Sequence, residues 1–122
     1  MKITGVIPQL RTMNLDSTIQ FYTTKLGLEL AFRYEDFYAG IRAGDQLFHL
    51  KLADEQDPSI PFTQDGDHFH LYLQTEDAAG LAEELKARGV TLTRDVCETE
   101  WNTKEFIVLD DQGHTIYFGE AL

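Results

Sequence analysis

Short runs of alternating hydrophobic and polar residues fill the first half of the chain, and one helical stretch interrupts them. Period-two alternation predicts strands, whereas apolar residues three and four apart predict an amphipathic helix. The helix is expected over residues 18–26, with Asn14 or Asp16 as its N-terminal cap and Gly27 as its left-handed stop. Strands are expected over residues 3–12, 28–34, 37–42 and 46–52.

The second half repeats this order after an acidic segment, residues 53–66, which we predict to be the only long loop. The repeat comprises a strand at 67–74, a helix at 76–88 stopped by Gly89, and strands opening at 90–92 and covering 104–109 and 114–120. A duplicated unit of this size predicts two modules that must pair to cover their sheets. We therefore expect an α+β fold, with residues 1–122 as a single domain of two tandem βαβββ modules, about 1–55 and about 66–122.

Several short motifs follow one another along nearly the whole chain. They are Ile7-Pro8-Gln9-Leu10, Phe21-Tyr22, Leu26-Gly27-Leu28, residues 36–45 (DFYAGIRAGD), Trp101, Glu105-Phe106 and Asp110-Asp111-Gln112-Gly113. Their order and spacing resemble the glyoxalase/bleomycin resistance protein/dioxygenase superfamily, and within it the bleomycin-binding resistance proteins. The resemblance implies an incomplete eight-stranded, barrel-like sheet with helices on its convex face. It also implies a homodimer, often with swapped modules, whose ligand cavity lies between the chains.

Strand alternation sorts the side chains of the second half onto two faces. Along residues 67–74, Phe69, Leu71 and Leu73 are expected to face the core, and His68, His70 and Tyr72 the cavity. The same reasoning turns His49 and Tyr117 towards the cavity. Two polar and aromatic faces that converge under a duplicated fold predict a binding site.

The resemblance assigns roles to two further aromatic residues. In the resistance proteins a tryptophan just before the Glu-Phe strand stacks on the drug, and Trp101 lies one residue further from that strand here. Tyr38 matches a second aromatic residue of the groove, whereas His70 replaces a further tryptophan. The candidate ligand-binding residues are therefore Tyr38, His49, His68, His70, Tyr72, Trp101 and Tyr117.

Metal-dependent members of this superfamily place a histidine or glutamate at four strand positions. The resemblance puts those positions at Ile7, at His49 or Lys51, at His70 and at Tyr117. Isoleucine cannot bind a metal ion, and a neutral phenol is a poor ligand for a divalent cation. However, the pair His68-x-His70 lies on one face of its predicted strand, and His49 adds a third nitrogen. The alternative is therefore a metal-dependent lyase, isomerase or dioxygenase that holds a divalent ion with His49, His68 and His70.

Composition narrows the class of ligand. The 122 residues carry 21 acidic and 10 basic side chains, a net charge of −11, which argues against nucleic-acid binding and permits a cationic ligand. No apolar run is long enough to span a membrane, and the single cysteine, Cys97, weakly favours the cytoplasm. We therefore predict a binding protein without cofactor or metal. It would sequester a bulky, planar, cationic small molecule, such as a bleomycin-like compound, in a groove at a homodimer interface.

Overall fold

The structure is a computed structural model that describes all residues, 1–122. Its strands are β1 (Gln9–Thr12), β2 (Glu29–Tyr34), β3 (Tyr38–Ala43), β4 (Gln46–Leu52), β5 (Leu71–Gln74), β6 (Leu92–Glu98), β7 (Thr103–Leu109) and β8 (Thr115–Ala121). Its helices are α1 (Leu15–Gln20), which continues as a π-helical turn over Phe21–Lys25, α2 (Ser59–Asp65) and α3 (Ala78–Ala87). None of these helices has the length and apolar character needed to cross a lipid bilayer.

The eight strands form two four-stranded sheets of the same design. The strand order is β1-β4-β3-β2 in the first sheet and β5-β8-β7-β6 in the second. In each sheet the first strand of the module pairs in parallel with the last, and the remaining neighbours are antiparallel. The predicted α+β fold of two tandem βαβββ modules is therefore confirmed, and the two sheets are not joined into a closed barrel.

Helix ends follow the sequence signals closely. The Asn14 side chain accepts a hydrogen bond from the Ser17 backbone N–H, so Asn14 rather than Asp16 is the cap of α1. Gly27 and Gly89 both adopt positive φ, 75° and 85°, as a left-handed helix stop requires. The cap of α1 moves its start upstream of the predicted residue 18 to Leu15.

The predicted first residues of two strands were also wrong. The strand expected over residues 3–12 is paired only from Gln9, because Pro8 has no N–H to extend the ladder. The strand expected over 67–74 begins at Leu71, where its partner β8 becomes available for pairing.

The prediction of a long loop over 53–66 was wrong, because this segment contains α2. The Asp57 carboxylate accepts a hydrogen bond from the Ser59 N–H, and Pro61 lies in the first turn, where a helix tolerates proline. Ile60 and Thr63 are buried on the inner side of this helix. The hydrogen bond from Ser59 to Asp57 just before the helix and two buried positions therefore make a short helix of a segment whose prolines predicted a loop.

One hydrophobic core of 17 buried residues extends through both modules. In the first module Tyr22 packs against Phe48, with ring centroids 5.1 Å apart. In the second, Phe106 stacks on Phe118 at 4.7 Å, and α3 contributes Leu85. Burial of a large apolar side chain stabilises a fold by roughly 1.5–3 kcal/mol. The helices therefore cover one face of each sheet and leave the opposite face open.

The carboxylate of Asp110 joins the two modules inside this core. Its Oδ2 atom accepts hydrogen bonds from the Tyr22 hydroxyl at 2.7 Å and from Nδ1 of His114 at 2.8 Å. Burial alone would raise the pKa of Asp110, but the hydrogen bonds from His114 and Tyr22 outweigh it and hold the pKa below its ordinary value of 3.8. The folded chain therefore gains stability from the ionised carboxylate above that pH and loses it as the pH falls through the lower folded-state pKa.

Polar contacts on either side of Asp110 extend this connection. The Asp111 Oδ2 atom accepts hydrogen bonds from the Ser17 and Thr18 hydroxyls, both at 2.7 Å. At the far ends of the helical segments, Lys25 donates to the Arg88 carbonyl at 2.9 Å and Arg88 donates to the Lys25 carbonyl at 3.3 Å. The modules are thus linked at both ends of their helices.

The variant Tyr22→Phe tests the buried link. It removes one donor from a buried carboxylate, so we expect the free energy of unfolding to fall by about 1.5–3 kcal/mol, as for hydrogen bonds to charged groups. Urea denaturation measures the change. Tyr34→Phe is the control, because Tyr34 is 58% exposed, and we expect it to stay within about 0.5 kcal/mol of wild type. Equal small effects of both variants would contradict the assigned role of the Tyr22 hydroxyl.

Candidate functional site

The open face of the second sheet carries a row of side chains that crosses all four strands. Tyr72 pairs with Tyr117, Tyr117 with Ile107, and Ile107 with Arg94. Directly paired residues lie on the same face of a sheet. The two tyrosine rings are 6.3 Å apart, and the Arg94 guanidinium carbon lies 5.6 Å from the centroid of the Tyr117 ring. This face is therefore aromatic and carries one cation at its edge.

A buried carboxylate lies beside this row. Glu105 is almost fully buried, and its Oε2 atom accepts hydrogen bonds from the Tyr72 hydroxyl at 2.6 Å and the Thr103 hydroxyl at 3.0 Å. Burial and the hydrogen bond to Glu105 raise the pKa of Tyr72 to about 12. Tyr72 therefore keeps its proton and remains a donor throughout the neutral range.

Gly119 makes room for that hydrogen bond. It is paired with Glu105 across the sheet, and the hydroxyl end of Tyr72 lies where a Cβ atom on residue 119 would stand. Any larger residue would push the tyrosine ring away from the carboxylate. The absence of a side chain at this position thus determines where the Tyr72 hydroxyl lies.

These side chains line a cavity of about 390 Å³ on the open face of the second sheet. Its walls are formed by Asp67, Phe69, Tyr72, Arg94, Trp101, Glu105 and Tyr117. Three of the predicted ligand-binding residues therefore meet here, namely Tyr72, Trp101 and Tyr117. Trp101 is 68% exposed at the β6–β7 connection, so its ring is available for stacking.

Phe69 lies in this cavity and not in the core, where alternation had predicted it. The side chain is 50% exposed, and its ring lies 5.2 Å from Tyr117 and 5.6 Å from Tyr72. The prediction was wrong because residue 69 precedes the first residue of β5, and alternation applies only within a strand.

Two other predicted residues, Tyr38 and His49, meet on the open face of the first sheet. Gln9 donates to the Tyr38 hydroxyl at 3.0 Å, and that hydroxyl is 2.8 Å from Nδ1 of His49. The Phe32 ring lies over Gly40, at the place that a Cβ would fill, and is 5.2 Å from the His49 ring. The first sheet therefore repeats the design of the second, with an aromatic ring seated on a central glycine.

The structure places His68 and His70 outside both groups. His68 stacks on Phe62 of α2, with ring centroids 5.8 Å apart and the planes 7° from parallel. Nδ1 of His70 accepts a hydrogen bond from the Thr115 N–H at 3.1 Å, and Nε2 is 3.0 Å from the Ser59 hydroxyl. The expected wall of His68, His70 and Tyr72 is not formed, because the strand begins only at Leu71.

The contact between Ser59 and His70 is not a nucleophile–base pair. Nδ1 of His70 accepts a hydrogen bond from the Thr115 backbone amide, so in the neutral ring Nε2 carries the hydrogen and donates to the serine hydroxyl. Burial and the neighbouring His114 lower the pKa of His70 from its ordinary value, which favours this neutral form. A nitrogen that already holds a proton cannot remove one from Ser59.

The donors that the family's metal-dependent members would use do not fit a metal ion here. No group of three or more His, Cys, Asp or Glu side chains within the chain is arranged to hold one. Both ring nitrogens of His70 have hydrogen-bond partners, and Tyr117 stands where a carboxylate would be required. His49, His68 and His70 contact separate neighbours and do not meet in one site.

A second cavity, of about 690 Å³, lies between the modules. Its lining is mainly aliphatic and includes Leu28, Leu47, Leu73 and Leu81. Of the predicted ligand-binding residues, only Tyr72 contributes to it. It includes the rings of Phe48, Tyr72 and Phe118 and one carboxylate, Asp45, but no cationic side chain and none of the other predicted ligand-binding residues.

Comparison with known proteins identifies the family. The sequence profile described as "Glyoxalase/Bleomycin resistance protein/Dioxygenase superfamily" matches residues 5–118. The chain belongs to this superfamily. No curated protein gives a significant match.

Solved structures of the family share the fold at low sequence identity. A bleomycin-binding protein from bleomycin-producing Streptomyces verticillus, complexed with copper(II)-bleomycin, is 24% identical with a TM-score of 0.75, covering 100% of this chain and 98% of that one. A bleomycin resistance determinant encoded on the transposon Tn5 is 20% identical with a TM-score of 0.78, covering 98% of each chain. TioX from Micromonospora sp. ML1 is 14% identical with a TM-score of 0.74, covering 98% of this chain and 97% of that one. At these identities the similarity establishes the fold alone.

Besides Asp67 and Phe69, sequence reasoning missed two residues that line the cavity and one glycine that shapes it. Arg94 was not considered, because its strand was predicted only at its opening residues 90–92. Glu105 was used as part of a motif, without a role in the site. Gly119 was passed over, although a glycine inside a β-branched and aromatic strand signals a close approach by another group.

The variant Gly119→Ala tests how the cavity is built. The added methyl group displaces the Tyr72 hydroxyl from Glu105, so we expect the pKa of Tyr72 to fall from about 12 towards its ordinary value of 10. Ultraviolet titration of tyrosine ionisation measures the shift.

Gly5→Ala is the matched control for that variant, because a Cβ at residue 5 meets no atom within 4 Å. We expect it to leave the titration unchanged. If Gly119→Ala also left the titration unchanged, the contact between the Tyr72 hydroxyl and Glu105 would not be what raises that pKa.

Proposed function

We propose that this chain is a binding protein of the bleomycin-resistance type, which sequesters a bulky, planar, cationic small molecule without chemical change. One observation carries the proposal. The cavity on the second sheet combines exposed aromatic rings with two carboxylates, Asp67 and Glu105, and only one cation, Arg94. Aromatic faces and carboxylates both attract a flat, positively charged group.

The volume of the cavity suits one part of a larger molecule. A volume of about 390 Å³ is near the lower end of the roughly 300–1,000 Å³ found for pockets that take drug-sized ligands. A bulky compound would therefore place one flat portion in it and extend beyond its edge. Trp101 stands at that edge with most of its ring exposed, in position to stack on the extension.

The open face of the first sheet supplies the matching surface in a dimer. Phe32 is exposed and Tyr38 and His49 are half-buried, and together they form an aromatic group that lines neither of the two cavities described. In a homodimer the first sheet of one chain can cover the second sheet of its partner. We propose that the complete groove consists of these two faces, with the ligand between them.

We propose that binding needs no metal ion. The donor chemistry supports this, because isoleucine and tyrosine stand at two of the four positions where related enzymes need ligands. Solved relatives described as bleomycin-binding proteins add support by analogy of fold. Bleomycin is therefore the first compound to test.

The variant Trp101→Ala tests stacking. Loss of the ring removes about 0.5–1.5 kcal/mol of aromatic contact in addition to its buried area, so we expect bleomycin to bind roughly ten-fold more weakly or worse. Isothermal titration calorimetry with metal-free bleomycin measures the affinity. Phe62→Ala is the control, since Phe62 is 70% exposed and lies outside the cavity. Equal affinities of both variants, or no heat of binding with wild type, would refute the proposal.

Mixed dimers test the shared groove. Tyr38→Ala and Trp101→Ala chains, unfolded and refolded together, should form hybrid dimers with one intact groove and one doubly altered groove. Random assortment into two-fold symmetric dimers predicts wild-type affinity at about a quarter of the wild-type stoichiometry. A groove formed within one chain would give no recovery on mixing.

A further inference from the structure

Arg94 lies where the strand pairing is broken on both sides. Its strand β6 pairs with β7 in a register that shifts between Leu92 and Arg94, and again between Arg94 and Cys97. Such register shifts mark β-bulges, in which one strand has an extra residue. Bulges bend the strand and change the direction of individual side chains, and they are frequent next to functional sites. Here they leave Arg94 on the row of Tyr117 and Tyr72, within the cavity.

The guanidinium of Arg94 lies at a place in this cavity that favours a cation. It lies over the Tyr117 ring at 5.6 Å, and its Nη2 atom is 3.5 Å from Oε1 of the buried Glu105. A cation over an aromatic face and beside a carboxylate is stabilised by both. The chain thus places its own positive group where a ligand's positive group would bind.

This internal contact is incomplete. A short charge-assisted hydrogen bond between nitrogen and carboxylate oxygen spans about 2.7–2.9 Å, and 3.5 Å is clearly longer. Oε1 of Glu105 receives no hydrogen bond in the chain, whereas Oε2 receives two. The Arg94 side chain is also 42% exposed, so it can turn out into water. Glu105 therefore retains an acceptor that a better-placed donor can use.

We propose that Arg94 is an internal competitor, and that the cationic group of the ligand displaces it from Glu105 and Tyr117. This inference rests on the proposed function in taking the ligand to be a planar cation. A planar group with paired N–H donors, such as an amidinium or guanidinium, matches the free carboxylate oxygen and the aromatic wall together. Cations that cannot outcompete the tethered guanidinium are rejected, so Arg94 determines selectivity by lowering affinity for weakly matched ligands.

The probe is benzamidinium, a flat aromatic cation, compared with the neutral benzamide and the anionic benzoate. Arg94→Met removes the internal cation and keeps a side chain of similar length. We expect it to bind benzamidinium roughly ten-fold more tightly than wild type, with a much smaller change for benzamide. Adding Glu105→Gln to that variant should abolish the gain, because the carboxylate that receives the cation is then absent.

Arg42→Met is the matched control. Arg42 is also an ion-paired arginine, 3.7 Å from Glu29, with a side chain 45% exposed, but it lies on the first sheet. Both substitutions change the net charge by the same single unit, so any general effect of charge on cation affinity is shared. The gain should be specific to Arg94→Met. In wild type, the Arg94 Nε–H resonance should shift on saturation with benzamidinium, which tests displacement without any substitution.

Three results would overturn the inference. They are unchanged or weaker benzamidinium binding by Arg94→Met, an equal gain in Arg42→Met, and benzoate binding by wild type that Arg94→Met abolishes. The last would make Arg94 an anion-binding residue. Bleomycin titrations separate this inference from the proposed function. If wild type binds bleomycin but Arg94→Met shows no gain for benzamidinium, only the competitor role fails. If the gain appears without bleomycin binding, the cation site stands and the bleomycin-type function fails.

Discussion

The buried carboxylate of Asp110 is the contact on which the arrangement of the two modules depends. It accepts hydrogen bonds from Tyr22 of the first module and His114 of the second, in a core that excludes water. A buried charge is tolerated only when such donors are fixed around it. Relative movement of the modules would remove the Tyr22 donor, whereas the donors from Gln112 and His114 belong to the same module as Asp110 and would remain. The turn at residues 110–113 thereby fixes the position of β8, and with it the position of Tyr117 in the cavity.

Both sheets carry aromatic rings on their open faces, and in both a glycine makes room for a ring. A strand face that carried a ring at every position would be too crowded for all of the rings to lie flat. In each sheet one central position is a glycine, Gly40 or Gly119, and a neighbouring ring lies in the space that a side chain there would fill. The rings are thereby held against the sheet with defined orientations, which reduces the entropy that a ligand must remove on binding.

The position of one acidic residue tells more about the ligand than the net charge of the chain. A net charge of −11 by itself indicates solubility as much as ligand choice. The cavity favours the second interpretation, because it contains a nearly buried carboxylate, Glu105. The hydrogen bonds of this carboxylate come from neutral hydroxyls, and its only close cation is partly exposed. Electrostatic attraction is strongest where water is excluded, so this one carboxylate matters more to a ligand than the many acids exposed on loops.

The sequence by itself determined the order of the strands and of the helices α1 and α3, because helix caps, glycine stops and period-two alternation act over a few residues, but it did not reveal α2. It also singled out Tyr72, Trp101 and Tyr117, since two of them lie inside regular strands and the third is an isolated aromatic residue in a polar segment. Only the tertiary structure decided where regular strands begin, and this moved Phe69 into the cavity and His68 and His70 away from it. Strand ends depend on partners distant in sequence, and the two register shifts around Arg94 depend on β7. For that reason local pattern could not reveal the cation and carboxylate that give the cavity its chemistry.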